Sequence, residues 1–282
     1  MSGASVRRIA GHEIPAELLL DAPSTVDACR RFIRDYYAAA GARTAIIGLS
    51  GGIDSALVAH LLVDALGRER VIGVFMPSDT SAPASLADAR SVATGLGIAT
   101  EELPVAAPLK AMVAGLPEGE GIGAIRRGNI AARMRMITLW DRSAAHEGLV
   151  IGTGNRTETL IGYWTMHGDG AWAINPIGGL YKSQVRQLAE HLGVPEPVIA
   201  KAPSADLWPG QTDEGEGGFD YPTLDRVLYR LVDLGRSPDQ IVAEGFDRAT
   251  VERVVELHRR SEFKRAERPI AAIDQPRRGP VA

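Results

Sequence analysis

Apolar positions recur at helical spacing across residues 26–37, where Val26, Cys29, Phe32, Ile33, Tyr36 and Tyr37 share one side. Ser24-Thr25-Val26-Asp27 reads as a capping box ahead of that helix, and Gly41 as its stop. Residues 44–49 are then apolar without alternation, which suggests a strand buried on both faces, as in a parallel sheet. A Gly-rich turn follows, then helical spacing over 56–62 up to Gly67, then a second apolar run at 71–76 that ends at Pro77. This strand–turn–helix–strand unit takes roughly 35 residues, the length of a right-handed βαβ crossover. The alternation continues with a helix at 84–96, a strand at 98–103, a long helix at 128–146, a strand at 149–153 and a helix at 183–192 stopped by Gly193. The pattern predicts an α/β fold: a doubly wound, mostly parallel sheet with helices on both faces.

Beyond Pro203 the pattern changes. Residues 208–218 form an acidic, Gly-rich stretch, expected to be a mobile loop. Helices at 222–234, 238–244 and 249–261 make a helical C-terminal part. The expected organisation is a leader at 1–24, one domain at 25–262 and an irregular Arg- and Pro-rich tail at 263–282. No internal repeat or coiled-coil register is visible.

Composition narrows the classes. The 282 residues are 45% hydrophobic and 23% charged, with a formal charge of −4. That balance gives no support to a nucleic-acid partner. No apolar run approaches the roughly 18 residues of a membrane helix, so no membrane role is expected. The single cysteine, Cys29, excludes an intrachain disulfide and points to a reducing, cytoplasmic setting. On a helix face it reads as core. The six histidines show no metal-ligand spacing.

The most informative stretch is Gly48-Leu49-Ser50-Gly51-Gly52-Ile53-Asp54-Ser55. It lies between a buried strand and a helix. Its glycines allow a tight turn and close approach to an anion, and the helix start adds free amides and a positive dipole end. Asp54 is the odd member. A carboxylate in a phosphate loop repels its ligand unless a divalent cation intervenes, so Asp54 predicts Mg²⁺. The loop is neither G-x-x-x-x-G-K-[ST] nor G-x-G-x-x-G, which removes the usual support for kinase-like transfer and for hydride chemistry.

S-G-G-x-D-S resembles the pyrophosphate loop of the N-type ATP pyrophosphatases, which cleave ATP between the α and β phosphates and form adenylates. The fold this implies is the Rossmann-like one of the adenine nucleotide alpha hydrolases. Further segments resemble the NAD synthetase family. They are Gly128-Asn129-Ile130-Ala131-Ala132-Arg133-Met134-Arg135-Met136, Gly152-Thr153-Gly154-Asn155-Arg156-Thr157-Glu158, Gly168-Asp169-Gly170, Tyr181-Lys182-Ser183, Pro203-Ser204-Ala205-Asp206 with Gln211-Thr212-Asp213-Glu214, and Glu262-Phe263-Lys264-Arg265. The resemblance spans about residues 26–265. Two positions depart from it. Ala173 stands where many relatives have an acidic residue, and Phe263 where many have His.

The resemblance implies a role for each matching residue. ATP would be held by the loop residues 48–55, Thr153, Lys182 and Ser204; Mg²⁺ by Asp54 and Glu158; and the dinucleotide by Arg135, Phe263 and Lys264. Asp54, Lys182 and Asp169 would be catalytic, Asp169 by binding and deprotonating ammonium. On the residues alone, Asp169 also reads as a turn aspartate, Lys182 as a surface lysine, and Tyr163 and Trp164 as core rather than stacking groups. The 211–218 loop would close over the adenylate. The implied reaction is amidation of deamido-NAD by ammonia, with AMP and pyrophosphate released, in a homodimer. Alternatives are another N-type pyrophosphatase, such as a GMP synthetase or tRNA thiolase, or an ATP-binding regulatory module. Glutamine-dependent relatives carry an amidase domain ahead of the synthetase. Here the loop starts near residue 48, so the expected donor is free ammonia or a separate glutaminase partner.

Overall fold

The computed structural model describes residues 7–204, 218–266 and 270–271. Strands β1 (Arg7–Ile9) and β2 (His12–Ile14) pair antiparallel across a turn at Ala10 and Gly11. Both turn residues have positive φ, 47° and 86°, as a two-residue hairpin turn demands. Residues 7–14 are therefore more than a leader. Ile9 and Ile14, each 2% exposed, give the hairpin an apolar side that packs into the main core.

Helix α1 (Ala22–Ala40) begins before the expected capping box. Asp21 is its N-cap residue, and Ser24 and Thr25 turn their hydroxyls back to the Asp21 carbonyl. Pro23 is the physical reason: with no amide to donate, it suits the first helical turn. Gly41 closes the helix with φ 66°, as expected.

The central sheet holds β3 (Thr44–Gly48), β4 (Val71–Phe75), β5 (Ala99–Glu102) and β6 (Gly148–Ile151) in the order β5-β4-β3-β6, all parallel. Side chains alternate between its faces. Ala45 and Ile47 join the core under α1, α2 (Ile53–Leu66) and α7 (Lys182–His191). Ile46, Ile72 and Val74 point the other way, toward Leu139 of α5 (Ala124–Ala145). Each such fully buried Ile contributes roughly 2 kcal/mol of hydrophobic stabilisation. This is the doubly wound arrangement the pattern predicted. Cys29 sits at 8% exposure in the same core, where burial pushes its thiol pKa up.

Some boundaries differ from expectation. Helix α3 (Pro83–Leu96) and β5 lie where expected, with β5 as the exposed edge of the sheet. Helix α4 (Ala106–Ala114) was not visible, because Pro108 in its first turn masks the periodicity. Helix α5 starts four residues before Gly128. Helices α6 (Arg156–Ile161) and α8 (Glu196–Ala200) flank α7 in sequence. The C-terminal part has α9 (Tyr221–Leu228) running into a π-turn at Tyr229–Asp233, then α10 (Pro238–Ala243), α11 (Arg248–Arg260) and α12 (Glu262–Arg265). The last is a correction, since residues 263–265 were expected to be irregular. A second apolar cluster joins Leu18, Leu160, Tyr181, Leu224, Val251 and Val254. The expected mobile stretch at 208–217 and most of the tail lie outside the described residues.

Candidate active site

A cavity of about 900 Å³ opens at the carboxyl ends of β3, β4 and β6, where open α/β sheets bind ligands. The segment 48–55 forms its floor. At Gly51 φ is 79°, and an added Cβ would come within 2.0 Å of the Ser85 carbonyl oxygen. Only glycine fits there. The two serines brace the loop: the Ser55 hydroxyl donates to the Gly52 carbonyl at 3.0 Å, and the Gly52 amide donates to Ser50 Oγ at 3.2 Å. The first helical bond of α2 runs from the Ala56 amide to the Gly52 carbonyl. The amides of residues 53–55 thus precede the helical ladder, and the helix dipole points its positive end into the cavity.

Three charged side chains converge above the loop. Lys182 Nζ lies 2.5 Å from Asp54 Oδ2 and 3.5 Å from Glu158 Oε1. The lysine is 2% exposed, against 17% and 18% for the two carboxylates. A buried ammonium persists only when paired, and here two carboxylates offset one cation. The pair leaves an excess of negative charge facing a loop shaped for anions. Among the described residues no group of three or more His, Cys, Asp or Glu forms a closed metal cage. Two carboxylates and an open side suit a hard cation that takes its remaining ligands from phosphate and water.

Asn155 was missed as a site residue. Its Nδ2 donates to Asp54 Oδ1 at 2.9 Å, which fixes the carboxylate that Lys182 also grips. Its Oδ1 accepts the Glu158 amide at 3.0 Å, while Glu158 Oε2 accepts the Asn155 amide at 3.2 Å. That reciprocal capping box of α6 was legible in the sequence as Asn followed three positions later by Glu.

Arg135 faces the same cavity, donating to the Met76 carbonyl at 3.2 Å and to Ser78 Oγ at 3.3 Å. Thr153 and Ser204 also line it. Asp169 opens onto the cavity with protein behind it. Its carboxylate accepts the Thr165 amide at 2.7 Å, and desolvation raises its pKa. Lys264 donates to the Gly162 and Trp164 carbonyls, both at 2.6 Å, and burial lowers its pKa. The structure brings all the expected site residues to the cavity wall except Gly51, which underlies the loop, and Phe263, which is 65% exposed away from it. Tyr163 and Trp164 line the cavity as well. Lys201 on the wall was also missed; it joins Ser85 Oγ and Asp88 Oδ2, both at 2.9 Å.

The model of the family described as NAD synthase matches residues 25–268. The chain belongs to the NAD synthase family. Among curated NAD synthase relatives, the NH3-dependent NAD+ synthetase of Trichlorobacter lovleyi is 48% identical over 242 residues, 86% of this chain and 88% of that protein. That of Pelodictyon phaeoclathratiforme is 44% identical over 91% and 92%. Among solved structures, the NH3-dependent NAD synthetase of Campylobacter jejuni superposes with a TM-score of 0.77 at 31% identity, covering 90% of this chain and all of that one. The NMN synthetase of Francisella tularensis superposes at 0.80 with 32% identity over the same shares. As an NAD synthase the chain is a ligase with an α/β fold. Among the described residues no helix is long and apolar enough to cross a membrane.

Proposed function

We propose that this chain amidates deamido-NAD with ammonia at the expense of ATP, the closing step of NAD synthesis. The observation that carries the reading is the meeting of Asp54, Glu158 and Lys182 over the phosphate loop, in one cavity with Arg135 and Asp169. The nicotinate carboxylate attacks the α-phosphorus of ATP, the bond to pyrophosphate breaks, and an acyl-adenylate forms. Ammonia then adds to the carbonyl carbon and AMP leaves, with the surplus proton passing to Asp169.

The chain's own contribution is positioning and charge neutralisation. Loop amides and Lys182 hold the departing phosphates. Asp54 and Glu158 would hold Mg²⁺, which supplies further neutralisation of phosphate charge when bound. Thr153 and Ser204 line the nucleotide end. Arg135 and Lys264 flank the dinucleotide end. Asp169, its pKa raised by desolvation, is a better proton acceptor than an ordinary carboxylate.

The reading extends to assembly and setting. Ile125, Ile137 and Trp140, exposed at 71%, 56% and 41% along α5, support a homodimer. A lone, buried thiol supports a cytoplasmic setting. The domain is read as 25–262, with the hairpin at 7–14 packed into its core.

One assay decides. The protein is incubated with ATP, Mg²⁺ and ammonium, plus deamido-NAD, nicotinic acid mononucleotide or XMP, and the AMP and amidated products are measured. AMP and NAD formed with deamido-NAD are expected. AMP with the mononucleotide alone would move the assignment to an NMN synthetase, and AMP with XMP alone to a GMP synthetase. No AMP under any condition would sink the enzyme reading.

A further inference from the structure

Helix α7 carries Lys182 at its first residue, but Tyr181 before it has no short polar side chain to cap the helix. Its hydroxyl instead bonds Asp233. Two side chains from other elements take the first amides. The Lys182 amide donates to Thr157 Oγ1 at 2.9 Å, and the Ser183 amide to Asp225 Oδ2 at 2.7 Å. Thr157 Oγ1 in turn donates a hydrogen bond to the other oxygen, Asp225 Oδ1, at 2.6 Å. Thr157, Ser183 and Asp225 are all 0% exposed.

We propose that Asp225 is a positioning residue for the ATP site: with Thr157 it clamps the start of α7 to the start of α6. Thr157 immediately precedes Glu158, and Ser183 immediately follows Lys182. One carboxylate therefore fixes the spacing of two charged groups that reach Asp54 from different helices. A carboxylate satisfies every donor in this group. Both oxygens accept, and the hydroxyl between them donates once and accepts once. An amide in its place would either turn an N–H toward the Ser183 amide or leave the Thr157 hydroxyl proton without its acceptor. Burial raises the pKa of Asp225, while its hydrogen bonds, the positive end of α7 and nearby Arg186, itself 1% exposed, favour the ionised form. Thr157, Ser183 and Asp225 do not line the cavity, so their effect on catalysis runs through Lys182 and Glu158.

The inference rests on the reading of Asp54, Glu158 and Lys182 as the ATP site, and its test has a readout that does not need turnover. Asp225→Asn, Thr157→Val and Thr157→Ser are compared with the wild-type chain, together with the Asp225→Asn/Thr157→Val double variant. In steady state with saturating deamido-NAD and ammonium, Asp225→Asn and Thr157→Val each lower kcat about tenfold or more. The KM for ATP moves less. The double variant is no worse than the poorer single one, because both break the same clamp. Thr157→Ser, which keeps the hydroxyl, restores most of kcat. Hydrogen exchange in all variants follows the amides of Lys182 and Ser183: slow in the wild type and in Thr157→Ser, faster in Thr157→Val while the sheet amides stay protected. Should Asp225→Asn fail to fold, Thr157→Val and Thr157→Ser decide the matter. Wild-type kcat in Thr157→Val, unchanged exchange at 182–183, or losses that multiply in the double variant would overturn the clamp. A wild-type protein that forms no AMP yet shows the exchange pattern would overturn the functional reading and leave the clamp standing.

Discussion

The two ends of the cavity are built differently. At the nucleotide end the functional groups sit where strands give way to helices, and they bind one another: Lys182 to Asp54 and Glu158, Asn155 to Asp54. At the dinucleotide end the groups come from α5, the 162–170 segment and α12, and they spend most of their bonds on backbone carbonyls. Lys264 takes those of Gly162 and Trp164, and Arg133 that of Met166. The nucleotide end is preorganised before any ligand arrives. The dinucleotide end holds its cations against main-chain oxygens that a substrate anion can outbid. On the proposed function, the fixed charges would serve adenylation and the exchangeable contacts recognition of the second substrate.

The sharpest break in this contrast is Lys182→Met. It leaves Asp54 and Glu158 facing each other without their cation, and turnover should fall about a hundredfold or more. Losing the cation from a paired, buried site should also cost roughly 3 kcal/mol, visible as a lower Tm. Asp54→Asn and Glu158→Gln should each reduce turnover by at least about a hundredfold while the Mg²⁺ dependence of the rate weakens. Near-normal rates in both would remove the metal assignment.

Next comes the loop. Gly51→Ala forces a left-handed residue into the Ser85 carbonyl, so it should cost roughly 2 kcal/mol or more in thermal unfolding. Its KM for ATP should rise while the KM for deamido-NAD changes little. An equal rise in both would show that the two ends are mechanically one.

Asp169 tests the other end through pH. Its pKa is raised by desolvation, and as the proton acceptor it must be ionised. Activity should therefore fall as pH drops through a value above the ordinary carboxylate range. Asp169→Asn should lower ammonia-dependent kcat about tenfold or more and abolish that acid limb. A limb that persists in Asp169→Asn belongs to another group.

The smallest effects are expected from Phe263→Ala and Arg133→Ala. Both side chains sit at the surface, so stability should change by no more than about 0.5 kcal/mol and the KM for deamido-NAD by less than about threefold. A tenfold rise with Phe263→Ala would show that the dinucleotide end closes around its substrate.

Legibility in the sequence follows the same division. The sheet was readable because residues 44–48 and 71–75 are buried on both faces, which leaves continuous apolar runs. The phosphate loop was readable because Gly51 and Asp54 have no cheap alternative explanation. The hairpin at 7–14 escaped notice, since only Ile9 and Ile14 declare its buried side. Asn155 was overlooked although its capping pattern was written out. Asp225 could not be found at all by spacing: it lies mid-helix among apolar residues, and its partners come from two distant helices. A buried polar group of that kind acquires meaning only from tertiary contacts.

That distance along the chain has a consequence for synthesis on the ribosome. Asp225 is 68 positions after Thr157 and 42 after Ser183. At roughly 5–20 residues per second, a growing polypeptide carries its phosphate loop and Lys182 for a few seconds before that carboxylate has been added. The sheet can form in that interval, but the two helices bearing the charged groups have nothing to lock them together. A nascent chain thus lacks the proposed clamp until Asp225 has been added. Stop codons downstream of residue 182 but upstream of 225 yield products that keep the nucleotide loop without the clamp's carboxylate.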